Sequence, residues 1–268
     1  MIHAILTILA TVLYLASGAG LAARLLRRPD SAGLRRACLV AATVAVAAHT
    51  VEVWQTTWLG GSLNLSFFNA ASLVGWMMSL LLLLLALPRR PVENLGIAIL
   101  PLTGVAAFLS FYVGRPAAHT APVADVDIHI FVSVLAYSIL GLAAVQALLL
   151  AVQERQLRHR RPGHIIGALP PLQTMEEMLF SMLRLGFVLL TLALISGWLF
   201  VDNLFAQHLV HKTVLSIVAW LVFGTLLWGR HRFGWRGQTA MRWTLGGFAT
   251  LMLAYFGSKL VLEFILRR

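Results

Sequence analysis

Apolar stretches of about 20 residues recur along this chain, separated by short gaps that hold most of its charge. Eight can be drawn: Ile5–Arg24, Ala37–Trp54, Leu65–Leu87, Leu95–Val113, Ile130–Gln153, Phe180–Phe200, Lys212–Trp228 and Trp243–Phe264. That length suits a helix crossing the hydrocarbon of a bilayer, whereas a barrel strand needs only about 10 residues of alternating pattern. The pattern therefore predicts an all-α fold, a polytopic membrane bundle of about eight helices. The whole chain, 1–268, reads as one integral membrane domain, with 153–178 as a cytoplasmic loop inside it. The first segment has no leading positive cluster and no clean small-residue cleavage site, so it is expected to be a retained helix.

Composition agrees with the pattern: 59% of residues are hydrophobic, 12% are charged, and the mean hydropathy is +0.84. A water-soluble domain carries about a quarter charged residues. The net charge of +11 would suggest nucleic acid in a soluble chain. Here the arginines collect in alternate gaps: Arg24, Arg27, Arg28, Arg35 and Arg36; Arg89 and Arg90; Arg155, Arg158, Arg160 and Arg161; Arg230, Arg232, Arg236 and Arg242. The intervening gaps hold little beyond Arg115 and Lys212. By the positive-inside rule the arginine-bearing loops are cytoplasmic, and an even number of spans puts both termini on the outer, periplasmic side of a bacterial inner membrane. Membrane lipids become the expected partner and nucleic acid does not, while the oligomeric state is left open. The one cysteine, Cys38, excludes a disulfide framework, a thiol pair and a CxxC haem attachment.

This orientation sorts the histidines. Of nine, His49, His119, His129, His208 and His211 fall at or near the outer face, with His3 beside them. His159, His164 and His231 fall on the cytoplasmic side. Neutral imidazole is a common ligand of metals and of haem iron, so histidines gathered where helix ends meet form a candidate binding site. His129 and His211 each open a spanning helix otherwise almost free of titratable groups, although an interfacial histidine that only caps its helix would look the same. Helix five continues from His129 to Ser133 and Tyr137 at spacing four, on one face. His49 lies deeper, three residues before Glu52, where a carboxylate is placed to orient the imidazole or merely to satisfy it. His208 could replace His211 but sits in a loop.

Other polar residues have plainer readings. Tyr255, Lys259 and Glu263 recur every four residues on the last segment, as an internal polar seam or a contact for a porphyrin propionate. Arg158 to Arg161 fit headgroup contact, Arg184 can snorkel, and the tryptophans fit interface belts, with Trp54, Trp58 and Trp198 able to line an apolar platform. Glu176 and Glu177 suggest a short surface helix after Pro170-Pro171. No phosphate loop, zincin helix, paired catalytic carboxylates or Ser–His–Asp spacing occurs, and independent catalysis is not expected.

Several stretches together resemble a known family: NLSFFNAASLV from Asn64, HIFVSVLAYSILGLAAVQALLLAVQERQL from His129, LPPLQTMEEMLF from Leu169, LGFVLLTLALISGWLF from Leu185, HKTVLSIVAWLVFGTLLWGRHRFGWRG from His211 and LAYFGSKLV from Leu253. They are similar to the cytochrome c assembly superfamily, which includes the CcsA, CcmC and CcmF haem-handling proteins, and within it to the YpjD/HemX-like inner-membrane group. The resemblance implies a haem-binding bundle in cytochrome c maturation, with haem b as the cofactor and haem-delivery or maturation proteins as partners. It places the histidine that opens the family's HxxxxxLSYA-like helix on His129, and a deeper one on His49. The chain departs from the core members where they carry a WGxxWxWDPKE-type segment, having FVDNLFAQHLVHKTVLS from Phe200 instead. The residue candidates for binding haem, and its iron, are thus His129 and His211, with His49 and His208 as alternates. An accessory or regulatory scaffold of the same fold without haem, a small-solute or metal-ion transporter, and a quinone-reactive subunit are the competing readings.

Overall fold

The computed structural model describes residues 2–27, 32–57, 65–86, 92–114, 124–158, 169–200 and 210–261. Eight long helices account for nearly all of them: α1 (Ile2–Arg27), α2 (Ala32–Thr57), α3 (Phe67–Ala86), α4 (Gly96–Val113), α5 (Ala124–Arg158), α6 (Leu172–Phe200), α7 (Val210–Phe233) and α8 (Gly237–Met252). A 3₁₀ turn, Glu93–Leu95, leads into α4. Among the described residues there is no strand. This is the outcome hydrocarbon imposes, because a helix satisfies its own backbone donors and acceptors where no water can. Seven helices are long and apolar enough to cross a membrane, from His3–Leu26 through Val210–Phe233. Large apolar side chains such as Ile5, Leu102, Leu185 and Leu221 lie on exposed faces, as they do where lipid replaces water.

Three elements differ from the sequence expectation. The helix expected from Phe180 begins at Leu172, so Glu176 and Glu177 belong to the spanning helix and not to a separate surface helix. Nothing between Leu172 and Phe180 breaks a helix, and the last breakers are Pro170 and Pro171. Helix α5 likewise starts six residues before the expected Ile130, at Ala124. The final segment is interrupted: after α8 the chain makes a π turn over Leu253–Gly257 before a last helical stretch, Ser258–Leu260.

The helices gather into two compact units. One comprises Met1–Ala121 and Arg155–Pro171, the other Pro122–Glu154 and Leu172–Arg268. In the first, α1 packs on α2 and α4, and α3 packs on α2 and α4. Gly18 allows the α1–α4 approach: a Cβ there would stand 2.5 Å from the Pro101 Cγ. Hydroxyls bridge the helices where packing is tight. Ser17 donates to the Cys38 carbonyl at 2.7 Å, Thr103 to the Gly75 carbonyl at 3.0 Å, and Ser110 to Asn69 at 2.6 Å. At one end Glu93 is held between Arg24 (2.9 Å) and Arg35 (2.6 Å), joining α1, α2 and the start of α4. Arg24 and Arg35 thus hold a buried carboxylate as well as marking the cytoplasmic side expected from sequence.

In the second unit, α5 is tied to α6 by Gln146, whose amide donates to the Met175 carbonyl at 3.0 Å. Trp220 of α7 stacks on Phe187 of α6 at 5.5 Å, and its indole N–H donates to Thr191 at 2.8 Å. Arg230 lies 4.5 Å over the Phe180 ring, and the Gly237 N–H donates to Glu176 at 2.7 Å. The Tyr137 hydroxyl donates to the Leu251 carbonyl just ahead of the π turn, and its ring meets Tyr255 and Phe256 edge-on. A π turn shifts the helical hydrogen-bond register by one residue, so a side chain supplied from a neighbouring helix is what stabilises it there.

Candidate functional site

His129 stands in the second turn of α5, half-buried against α6. Its Nδ1 is 3.0 Å from the Ser196 hydroxyl. That hydroxyl in turn donates to the Ala193 carbonyl at 3.0 Å, one turn back along α6. The ring packs close against Gly197, Cε1 foremost: a Cβ at that position would be 3.0 Å from Cε1, 3.5 Å from Nδ1 and 3.8 Å from Nε2. Ser196 and Gly197 thus act as a pair, one holding the ring's edge and the other leaving room for it. The His129 Nε2 has no hydrogen bond to any described residue. Trp198, next on α6, is exposed.

His211 lies in the first turn of α7 and is exposed. No hydrogen bond or ring contact joins it to His129 among the described residues. Its neighbour Lys212 is placed differently, with the ammonium 5.4 Å from the centre of the Tyr255 ring. Tyr255 therefore faces both Lys212 and Tyr137 from within the π turn. The π turn alters the helical spacing on which the expected Tyr255–Lys259–Glu263 seam was drawn, and Glu263 lies outside the described residues. So does His208, together with Trp58, His119, His159 and His164.

His49 belongs to the first unit and is fully buried, at 0% exposure. Both of its ring nitrogens are engaged: Nε2 is 2.8 Å from the Ser72 hydroxyl of α3, and Nδ1 is 3.3 Å from the Tyr14 hydroxyl of α1. The Tyr14 ring meets the imidazole edge-on at 5.8 Å. Glu52 is also buried, but the imidazole is oriented by the two hydroxyls and not by that carboxylate. One side chain of α2 so binds α1 and α3 together through hydrogen bonds. Nothing in the sequence marks Tyr14 or Ser72 as its partners, because residues 35 and 23 positions away need the fold to bring them to His49.

Among the described residues, no three His, Cys, Asp or Glu side chains gather closely enough to hold a metal ion. Of the described histidines, His129 combines partial burial, a fixed ring and an unoccupied nitrogen.

The comparison with known proteins bears directly on this. The family described as cytochrome C assembly protein matches residues 39–266, which takes in both His49 and the α5–α6 pair. The chain belongs to that family. It is also similar to the inner membrane protein YpjD of Escherichia coli K12, with 32% identity covering 97% of this chain and 99% of that one. An uncharacterised 28.8 kDa protein of Azospirillum brasilense is 32% identical over 80% of this chain and 81% of its own. The cytochrome c biogenesis protein CcsA of Trichormus variabilis is more distant, 26% identical over 33% of this chain and 26% of its own length. No solved structure matches. With its seven apolar candidate spans, the chain is a multi-pass inner-membrane protein.

Proposed function

We propose that this family member binds or relays haem b at the inner membrane in the service of cytochrome c maturation, and that His129 would hold its iron through Nε2. The observation that carries the reading is the state of that imidazole, half-buried and held at Nδ1 by Ser196 with Nε2 unengaged. Metal-bound histidines are characteristically hydrogen-bonded through the other ring nitrogen, which fixes their orientation. Haem would supply an iron able to accept the imidazole lone pair. His211 is the second candidate, at the exposed start of α7, and His208 is its alternate; Lys212 beside them provides a cation for a propionate. His49 ranks after these, since binding iron would require it to give up Ser72 or Tyr14. On this reading the arginine-rich loops face the cytoplasm, both termini face the periplasm, and the site opens to the outer side. Cys38 is buried and single, so covalent attachment would take place on the thiols of a partner cytochrome.

Full-length protein purified in detergent after expression with ample haem tests this by its absorption spectrum, oxidised and then dithionite-reduced. A Soret band that survives washing, disappears in His129→Ala and weakens in His211→Ala is the expected result. No Soret band, even after haem titration, would overturn the reading. It would favour a scaffold of the same fold without haem, a role to which the missing tryptophan-rich segment already points.

A further inference from the structure

We infer that Ser196 is a positioning residue that holds His129 in its Nδ1–H tautomer, so that Nε2 is the lone-pair nitrogen. A serine hydroxyl has one proton to donate and lone pairs to accept with. At Ser196 that proton goes to the Ala193 carbonyl, 3.0 Å away. The contact of 3.0 Å between Ser196 and Nδ1 is then a hydrogen bond only if Nδ1 carries the proton and donates it. The opposite arrangement turns the serine proton onto Nδ1 and puts the ring proton on Nε2. It would take the serine's proton off the Ala193 carbonyl and move the ring's proton to the nitrogen that Ser196 does not touch.

Gly197 completes the device. With no Cβ, it lets the imidazole lie against α6 close enough for Nδ1 to reach the serine one residue earlier. The tautomer matters because only an unprotonated nitrogen can donate a lone pair to a metal. A histidine in water prefers the proton on Nε2, the wrong nitrogen for this geometry, so the helix α6 pair sets in advance what ligation would otherwise have to rearrange. The assignment concerns this chain's own atoms; its use in ligation rests on the haem reading above.

The test is a long-range ¹H–¹⁵N correlation spectrum of the full chain in detergent micelles, haem-free, labelled with ¹⁵N-histidine, at a pH where the ring is neutral. The His129 signals are those missing from His129→Ala. In a neutral imidazole Nε2 couples to both ring C–H protons and Nδ1 mainly to one, so the protonated nitrogen is identified directly. Expected are an unprotonated Nε2 in the wild type, a rise of the Nε2–H form in Ser196→Ala, and return toward the wild-type pattern in Ser196→Thr. A wild-type ring protonated on Nε2 would overturn the inference, and so would a Ser196→Ala spectrum unchanged from wild type. A parallel haem titration should show about a tenfold weaker affinity in Ser196→Ala, the usual cost of losing a ligand's hydrogen-bond partner. Absence of haem binding in the wild type would overturn the haem reading alone, while the tautomer result would stand or fall on the NMR spectra.

Discussion

Replacing His49 by leucine keeps roughly the volume of the ring and removes both of its hydrogen-bonding atoms. The residue has 0% exposure, so water cannot step in. The Ser72 hydroxyl loses a bond of 2.8 Å and the Tyr14 hydroxyl loses a longer one of 3.3 Å. A buried polar group left unsatisfied costs about 1–3 kcal/mol. Allowing about 2 kcal/mol for the short bond and about 1 kcal/mol for the long one, His49→Leu should destabilise the first unit by about 3 kcal/mol. The combined variant His49→Leu, Tyr14→Phe, Ser72→Ala removes the imidazole and both hydroxyls that meet it at once, while Ser79 beside Tyr14 keeps its bond to Thr103. It should recover to within about 1 kcal/mol of the wild type, because apolar groups of similar shape leave nothing unsatisfied. Both can be read from denaturation in mixed micelles, with helicity and tryptophan fluorescence as probes. A His49→Leu cost under about 0.5 kcal/mol, or a triple variant no better than the single one, would refute the reasoning. The same folded triple variant separates a structural hub from a ligand: it should keep any Soret band the wild type has.

Three other substitutions follow from the packing. Glu93→Gln leaves Arg24 and Arg35 facing a neutral amide; both are about a fifth exposed, at 20% and 23%, so the loss should be about 2 kcal/mol and shrink in high salt, measured in the same micelle assay. Tyr137→Phe removes the hydroxyl that meets the Leu251 carbonyl, and should cost about 1 kcal/mol and raise amide exchange across 251–257 without altering exchange in the first unit. Gly197→Ala puts a methyl 3.0 Å from the His129 Cε1, so the ring must shift; haem titration should show about tenfold weaker binding, about 1.4 kcal/mol, while unchanged affinity would mean that the ring yields freely.

What could be read from sequence follows from where the governing physics is local. Hydrocarbon demands helices of a given length, so each of the first seven apolar runs forms the body of one helix. Helix ends were less legible: Leu172 to Met178 is polar enough to resemble a loop, yet contains no residue that stops a helix. The π turn at Leu253–Gly257 left no mark in an otherwise continuous apolar run, since Tyr137, more than a hundred residues earlier, is what meets it. At the site, His129 stood out because a titratable residue in an apolar helix is conspicuous. Ser196 and Gly197 did not, because small residues in LISGWLF are ordinary for a membrane helix. Their role exists only once α5 and α6 are placed side by side. The same holds for His49, whose neighbour Glu52 in sequence suggested a partner that the imidazole does not use.

The account turns on one atom, the His129 Nε2, and cavity rescue addresses it most directly. His129→Gly should lose the Soret band of the purified protein and regain it when imidazole is added to the buffer, the free ring occupying the place of the missing one. A Soret band that persists in His129→Gly without imidazole, at wild-type position and affinity, would contradict the claim and assign any haem to another residue.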